Sequence, residues 1–287
     1  MTGDVDAREL AKTESALAGY EGEDRVVSSQ DFWHIHENIS SIEQKMRFGG
    51  MPKLNGYMDG LETGEVIVVS GPTKQGKTTL CDTIGRNLAK LGVNCLWFSF
   101  EVQQRRFLAK YKMSDVLVYV PLQLHSGDTI WLEKKVHEAK LKYNCRVVFI
   151  DHLHFIVDMA RTRNPSIEIG SVMRFLKQRI AIKHNVAVVL IAHLTKTKLE
   201  EEPTENDLRD SSFIAQEADA TLMIYRRLNA EKGVMEEDAY STKARVIVCN
   251  HRRTGVMKGR VDMVKVGDDL VEEETWAQAP PAKNDTW

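Results

Sequence analysis

The sequence lacks a long apolar run. The longest, Val186 to Ala192, has about a third of the length that a helix needs to cross a bilayer. The acidic start, Met1 to Asp6, also lacks the basic region and apolar stretch of a secretory signal. We therefore expect no contact with a membrane and a cytoplasmic location, which would be the host cytoplasm if the protein is viral.

Cysteine and excess positive charge are scarce as well. The four cysteines are scattered without a CxxC pair, so their spacing indicates neither a zinc site nor a disulfide framework. The 39 lysines and arginines are outnumbered by 41 aspartates and glutamates, which gives a net charge of −2. Any contact with DNA must then come from local basic loops and not from the charge of the whole chain.

The remaining composition is that of a globular protein, with 43% hydrophobic and 28% charged residues. A length of 287 residues fits one large α/β domain with extensions. We divide the chain into a flexible acidic N-terminus over 1–30, a helix over 31–48, a core domain over 49–268, and an acidic tail over 269–287.

The helix over 31–48 has one apolar face. Residues on this face follow spacings of three and four, as a helix requires; they are Phe32, Ile35, Ile39, Ile42 and Met46. The face either packs on the core of its own chain or belongs to a linker helix that docks on a neighbouring subunit.

Alternating strands and helices follow in the core domain. Strands are predicted at residues 65–70, 95–100, 116–120, 147–150 and 186–192, with helices between them, and then at 220–225, 245–249 and 260–266. A βαβ series that ends in successive strands predicts a mostly parallel sheet flanked by helices, with antiparallel strands at one edge.

A phosphate-binding loop stands between the first strand and its helix. The segment matches G-x-x-x-x-G-K-[ST] in full, with Thr79 supporting the turn, and its residues are Gly71, Pro72, Thr73, Lys74, Gln75, Gly76, Lys77 and Thr78. Backbone amides and the helix N-terminus would hold the phosphates of ATP or another NTP or dNTP. Lys77 would neutralise the β- and γ-phosphates, and the Thr78 hydroxyl would bind Mg²⁺.

Two carboxylates follow other predicted strands. Asp151 ends the apolar strand that begins at Val147, and is the candidate second group for Mg²⁺. Glu101 follows the strand that begins at Cys95. Because the carboxyl ends of parallel strands share one sheet edge, Glu101 can face the γ-phosphate as a base or a water-positioning group, unless it is a solvated surface glutamate.

These segments, in this order, resemble the hexameric replicative helicases of the DnaB type, and most closely the branch of mitochondrial Twinkle and the primase-helicases of short-tailed phages. The resemblance covers roughly residues 50–268, and it adds the segments 92–101, 150–153, 191–194, 216–219 and 251–255 to the phosphate loop. It implies a RecA-like core and a homo-hexameric ring with NTP held between neighbours.

The resemblance also implies roles for individual residues, and Glu101 would act as the hydrolytic base. His193 would sense the γ-phosphate, unless it is a hydrogen-bonded structural histidine, and Arg252 would reach the NTP of the adjacent subunit as its arginine finger. Arg253 could take that role next to the nucleotide, or be a solvated surface residue. Asn250 stands where the family usually carries a lysine. The resemblance therefore does not extend to a second cation that the adjacent subunit would supply to the NTP.

Single-stranded DNA would pass along basic loops through the centre of the ring. The candidate contacts are Lys196, Lys198, Arg161, Arg163 and Arg226, which would bind phosphates without reading sequence. Each of them could instead be a solvated charge.

The leading hypothesis is a replicative helicase that moves 5′ to 3′, and the alternative is a RecA/RadA-like DNA-dependent ATPase that acts in recombination. A third hypothesis is a regulatory or metabolic P-loop protein that does not bind DNA. We expect another chain to supply primase, since the first 50 residues are too short for that module. The acidic tail that ends in Trp287 either docks a DNA polymerase or only aids solubility.

Overall fold

The computed structural model describes residues 12, 16, 18–22, 25–36, 45–112, 115–156, 165–193, 214, 216–228 and 240–273. The chain divides into two units, Met1–Gln44 and Lys45–Trp287. The first contains helix α1, Ser29–His36. Ser28 caps its start, because the Ser28 hydroxyl accepts a hydrogen bond from the Asp31 amide at 3.0 Å and donates one to the Asp31 carboxylate at 2.6 Å.

The predicted helical face over 31–48 is wrong at its C-terminal end. Met46 lies in the second unit, where its backbone pairs with Leu61 through bonds of 2.9 and 3.0 Å. Both Met46 and Phe48 are buried in the core of that unit. Ile39 and Ile42 lie outside the described residues, so the docking of a linker helix stays a prediction.

The second unit contains an eight-stranded sheet. Its strands are β1 Val66–Ser70, β2 Cys95–Ser99, β3 Val147–Asp151, β4 Ala187–Ile191, β5 Ala220–Leu228, β6 Tyr240–His251, β7 Gly259–Val266 and β8 Asp269–Glu272, in the spatial order β2-β3-β4-β1-β5-β6-β7-β8. The helices are α2 Pro52–Met58, α3 Lys77–Lys90, α4 Gln104–Ala109, α5 Thr129–Tyr143 and α6 Pro165–Phe175, which continues as a π-helical segment, Leu176–Ile182.

The first five strands are parallel, and β6, β7 and β8 are antiparallel. Strands β1 to β4 are buried at every position, as expected for strands covered on both faces. Packed hydrophobic clusters on the two faces of the sheet include Trp97 stacked on Phe149 at 4.3 Å on one side, and Phe98 against Trp131 on the other. The predicted mostly parallel α/β sheet with antiparallel strands at one edge is confirmed.

One predicted strand and the predicted end of the core domain are wrong. Instead of a strand over 116–120, only Tyr119 pairs with β2, through bonds of its amide to Cys95 and its carbonyl to Trp97. Pro121 follows, and its missing N–H prevents further pairing. The core also continues past residue 268, because β8 pairs with β7.

The end of β8 is tied to the beginning of helix α2. The buried carboxylate of Glu272 accepts hydrogen bonds from the amides of Lys53 and Leu54 at 2.9 and 2.8 Å. These amides belong to the first turn of α2, where donors lack partners within the helix and a negative charge is favoured. Residues 269–272 of the predicted tail are therefore part of the fold.

Candidate nucleotide site

The phosphate loop connects β1 to α3 as predicted. Gly71 has φ +149°, and a Cβ added there would lie 2.0 Å from the carbonyl oxygen of Ile224 on β5. Gly76, the residue before α3, has φ +101°. A side chain at either position would strain the backbone or collide with β5, which explains why this turn requires glycine.

Lys77 is held inside the loop. Its Nζ donates hydrogen bonds of 2.9 Å to the carbonyls of Gly71 and Pro72, and the residue is 5% exposed. Burial lowers the pKa of Lys77, while the charges of Glu101 and Asp151 oppose that shift. The loop thus places a desolvated cation at the N-terminus of α3, where phosphate binds most readily.

Thr78 and Asp151 meet beneath the loop. The Thr78 hydroxyl donates to Oδ2 of Asp151 at 2.9 Å. Asp151 is fully buried, and burial raises its pKa to about 6 despite this hydrogen bond. Its Oδ1 has no hydrogen-bond partner in the part of the chain that the structure describes. A buried carboxylate oxygen without a partner, next to a hydroxyl, is the oxygen donor set that Mg²⁺ prefers, so these residues fit the predicted ion.

Glu101 and His193 complete the cleft next to the loop. Glu101 follows β2, is exposed, and its backbone amide donates to the Asp151 carbonyl at 3.2 Å. His193 follows β4, and its ring lies 4.3 Å from the ring of His152 in an edge-to-face arrangement. The cleft has a volume of about 450 Å³, and its walls include Thr73, Lys74, Gln75, Gly76, Lys77, Thr78, Thr79, Glu101 and His193.

The structure adds residues to the cleft that the sequence did not indicate. Arg226 on β5 and Lys265 on β7 both line it. The Arg226 amide donates to Oε1 of Gln75 at 2.5 Å, which ties β5 to the phosphate loop. Arg226 is also a predicted DNA contact, and that contact stays a prediction. Its place in the cleft follows from strand length, because β5 pairs with β1 up to Ser70 and then continues past the end of β1.

Arg252 lies at the opposite edge of the sheet from the phosphate loop. Its neighbour His251 pairs with Ala220 at the start of β5, whereas Ser70 pairs with Met223 three residues further along. The Arg252 amide donates to the Asp219 carbonyl at 2.8 Å, and its guanidinium donates to the Gln216 carbonyl. The side chain is exposed, and roughly the length of a strand, about 13 Å, separates this edge from its own phosphate loop.

Arg253 has a different environment from its neighbour. Its guanidinium contacts carboxylates of Glu65 at 2.7 Å and Glu62 at 2.8 Å, and the Gly60 carbonyl at 3.1 Å. These ion pairs show that it is not simply a solvated surface residue, and it does not line the nucleotide cleft of its own chain. The local reason is Glu65, a carboxylate buried at the entry to β1 that requires a cation. A contact with the nucleotide of a neighbouring subunit stays a prediction.

Comparison with known proteins identifies the family. The family model described as "DnaB-like helicase C terminal domain" matches residues 123–266. The chain belongs to this family. The match includes Asp151, His193 and Arg252, and the phosphate loop precedes it.

Curated relatives of this DnaB-like domain include a "Replicative DNA helicase DnaB" from Rickettsia felis. It is 31% identical over 243 residues, which cover 67% of this chain and 49% of the relative. A "Probable replicative DNA helicase" from Trieres chinensis is 25% identical over 213 residues, 62% of this chain and 46% of the relative. The chain thus spans about half the length of the curated relatives it matches.

Solved structures confirm the RecA-like fold of the DnaB-like domain. One, described as "The Structure Of A DnaB-Like Replicative Helicase And Its Interactions With Primase", has a TM-score of 0.65 at 17% identity, and covers 91% of this chain and 70% of its own. A second, which is described as an ATPase domain, has a TM-score of 0.67 at 18% identity, with coverages of 87% and 99%.

Several predicted DNA contacts lie outside the described residues: Lys196, Lys198, Arg161 and Arg163. The acidic tail from residue 274 onward does so too. Asp219, from the segment that resembles the helicases, is buried and accepts hydrogen bonds from the Val66 amide and from Lys177 at 2.7 Å each. Its observed role is to hold the start of β1. Within the described part of the chain, no helix is long and apolar enough to cross a membrane.

Proposed function

We propose that this chain hydrolyses ATP, or another NTP or dNTP, with Mg²⁺, and that a homo-hexameric ring of it uses hydrolysis to move 5′ to 3′ along single-stranded DNA and unwind duplex. The observation that carries the proposal is the convergence in one cleft of the Lys77 cation, the Thr78–Asp151 oxygen pair and the Glu101 carboxylate. Membership of the DnaB-like helicase family supports the DNA-dependent part.

Each residue of the cleft has a distinct task in hydrolysis. Lys77 and the amides of the loop bind the β- and γ-phosphates. The side-chain oxygens of Thr78 and Asp151 would hold Mg²⁺, which would supply charge neutralisation on the phosphates. Glu101 lies in the exposed mouth of the cleft, where its carboxylate orients a water molecule and takes its proton. His193 donates a hydrogen bond to the γ-phosphate from the end of β4.

The position of Arg252 supports a site that is shared between subunits. An exposed guanidinium at the opposite sheet edge is too far from its own phosphate loop to act there. In a head-to-tail ring the same edge faces the cleft of a neighbour, because heterologous interfaces join two different faces of the protomer. Arg252 then stabilises charge on the phosphoryl group bound by that neighbour.

The DNA path depends on local charge. With a net charge of −2, the chain needs predicted local cations to face the central channel, namely Lys196, Lys198, Arg161, Arg163 and Arg226. We further propose that the protein acts together with a primase, with which the DnaB-like helicase of similar structure interacts, and that the acidic tail contacts a DNA polymerase. Loss of residues 274–287 would then remove polymerase association without changing NTP hydrolysis.

The deciding experiment measures ATP hydrolysis with and without single-stranded DNA, and unwinding of forked duplexes with a 5′ or a 3′ loading tail. Single strands should accelerate hydrolysis, and only the fork that permits 5′ to 3′ movement should open. Lys77→Ala should reduce hydrolysis at least about 100-fold, whereas Lys90→Ala, an exposed lysine in the last turn of the same helix, should not. Hydrolysis that is indifferent to single strands would contradict the proposal.

A further inference from the structure

Three side chains at the edge of the nucleotide cleft form a cluster of metal-ligating groups. The ligand atoms of Glu101, His152 and His193 all lie within 4.8 Å of one another. They follow the carboxyl ends of β2, β3 and β4, which are adjacent in the sheet. Neighbouring strands of a buried parallel sheet therefore fix the backbone positions of these three residues. A rigid backbone favours a preformed site.

Two imidazoles and one carboxylate are a different donor set from the Thr78–Asp151 oxygen pair. Imidazole nitrogen suits Zn²⁺ and related transition metals, whereas Mg²⁺ prefers oxygen alone. Three protein ligands of this kind leave a fourth position on Zn²⁺ open to water. We propose that Glu101, His152 and His193 form a second metal site, selective for a transition-metal dication of the Zn²⁺ class over Mg²⁺.

Glu101 is the carboxylate ligand of the cluster. The charge of the nearby Lys77 interacts with Glu101 and Asp151, but its Nζ donates to two carbonyls of the loop and is held there. Lys74, Arg226 and Lys265 also line the cleft, so the affinity for a metal ion comes from its three ligands and not from an excess of negative charge.

Occupancy of the site has a consequence that rests on the proposed hydrolysis. A carboxylate bound to a metal ion is less basic and fixed in direction, so Glu101 no longer takes a proton from the attacking water. The ion therefore inhibits NTP hydrolysis without displacing Mg²⁺ from Thr78 and Asp151. Binding of the ion does not depend on that activity and can be measured by itself.

A second pair of histidines provides a matched control. The rings of His137 and His184 lie 5.2 Å apart, near the carboxylate of Glu133. Arg179 and Lys183 already contact that carboxylate at 3.0 and 2.8 Å. Two cations on this carboxylate disfavour a dication there, so His137→Ala should leave zinc binding unchanged.

The test is calorimetric titration of the full chain with Zn²⁺ in excess Mg²⁺, and with Co²⁺, whose visible absorption reports its ligands. Wild type should bind one ion, and His152→Ala and His193→Ala should each bind at least about tenfold more weakly. His152→Gln, with thermal unfolding recorded alongside, guards against loss of folding. Equal affinity in wild type and all of the cluster variants, or equal weakening by His137→Ala, would overturn the site.

The second measurement is the rate of NTP hydrolysis at a known concentration of free Zn²⁺. A metal buffer fixes that concentration, because nucleotides also bind this ion. Zinc should inhibit the wild type, a chelator should restore it, and His152→Ala should require at least about tenfold more zinc. Binding at the cluster without inhibition would overturn the inhibitory role. If the wild type hydrolyses no NTP, the proposed function fails while the titration still decides the metal site.

Discussion

The two halves of the sheet contribute to function in different ways. In the parallel half, strands β1 to β4 have five residues each and are buried throughout. Ligands bind at the carboxyl ends of parallel strands. The phosphate loop, Glu101 and His193 line one cleft at that edge, and Asp151 joins them through its hydrogen bond with Thr78.

The antiparallel half consists of β5, which pairs antiparallel with β6, together with β6, β7 and β8. Strands β5, β6 and β7 are longer than those of the parallel half, and exposure alternates along β7. Its residues reach both edges of the sheet: Arg226 and Lys265 line the nucleotide cleft, whereas Arg252 and Arg253 lie at the far edge. The parallel half therefore supplies residues to one nucleotide site within its own subunit. The antiparallel half supplies residues to that site and, in the proposed ring, also to the nucleotide site of a neighbouring subunit.

The strongest test of this contrast is Arg252→Ala. We expect hydrolysis to fall by about 1000-fold or more, since an arginine finger contributes that much, with the free energy of unfolding unchanged to within about 0.5 kcal/mol. Mixing Arg252→Ala with Lys77→Ala subunits should restore activity, because some sites then combine an intact loop with an intact arginine. Activity that stays absent in every mixture would mean that Arg252 does not act across subunits.

Arg253→Ala should affect stability instead. Burial would raise the pKa of Glu65, but hydrogen bonds from His251 and Arg253 hold it below its ordinary value. Removing Arg253 leaves that buried carboxylate without its cation, which should cost about 2 to 3 kcal/mol of unfolding free energy, below the range for fully buried pairs because the arginine is partly exposed.

Chemical denaturation measures this loss, and the double variant with Glu65→Gln identifies its cause. The double variant should lose less than the sum of the single variants, since the uncompensated charge is gone. Additive losses would show that Arg253 stabilises the fold through something other than Glu65.

The adjacent arginines also show what the sequence could and could not predict. The phosphate loop, Asp151 and Glu101 were predictable because each follows an apolar strand, and their separation in sequence does not matter to a parallel sheet. No local signal separates Arg252 from Arg253, because Glu65, the partner that decides between them, is 188 positions away.

The features that the sequence did not predict also depend on partners that are distant in the sequence. Arg226 enters the cleft because β5 extends past β1, and residues 269–272 join the core because Glu272 caps a helix more than 200 residues earlier. Helical spacing likewise placed Met46 on a helix, although its backbone pairs with Leu61. Each outcome depends on tertiary pairing, which local periodicity does not encode.

Asp151→Asn tests how much the buried charge of the site in the parallel half lowers the free energy of unfolding. The pKa of Asp151 is about 6 in the folded chain against an ordinary value of 3.8. A raised folded pKa means that the stability contributed by the protonated carboxyl is present below about pH 4 and is lost as pH rises through about 6.

Near pH 7 the metal-free wild type therefore contains a costly buried charge, and Asp151→Asn should be more stable by about 1 to 2 kcal/mol. Denaturation across pH 4 to 8 should show the gain growing with pH and shrinking when Mg²⁺ and nucleotide stabilise the wild type, while the variant loses hydrolysis. A variant less stable than wild type at pH 7 without metal would contradict the raised pKa.

The smallest effect is expected for Arg226→Ala in the antiparallel half. Its guanidinium lines the cleft but remains partly exposed, so its attraction for the triphosphate is screened by water and salt. We expect the KM for nucleotide to rise about threefold to tenfold with kcat unchanged, and the difference to shrink at high salt. Arg260→Ala, an exposed arginine on β7, is the matched control. An unchanged KM together with weaker, less salt-dependent binding of single strands would instead place Arg226 on the DNA path.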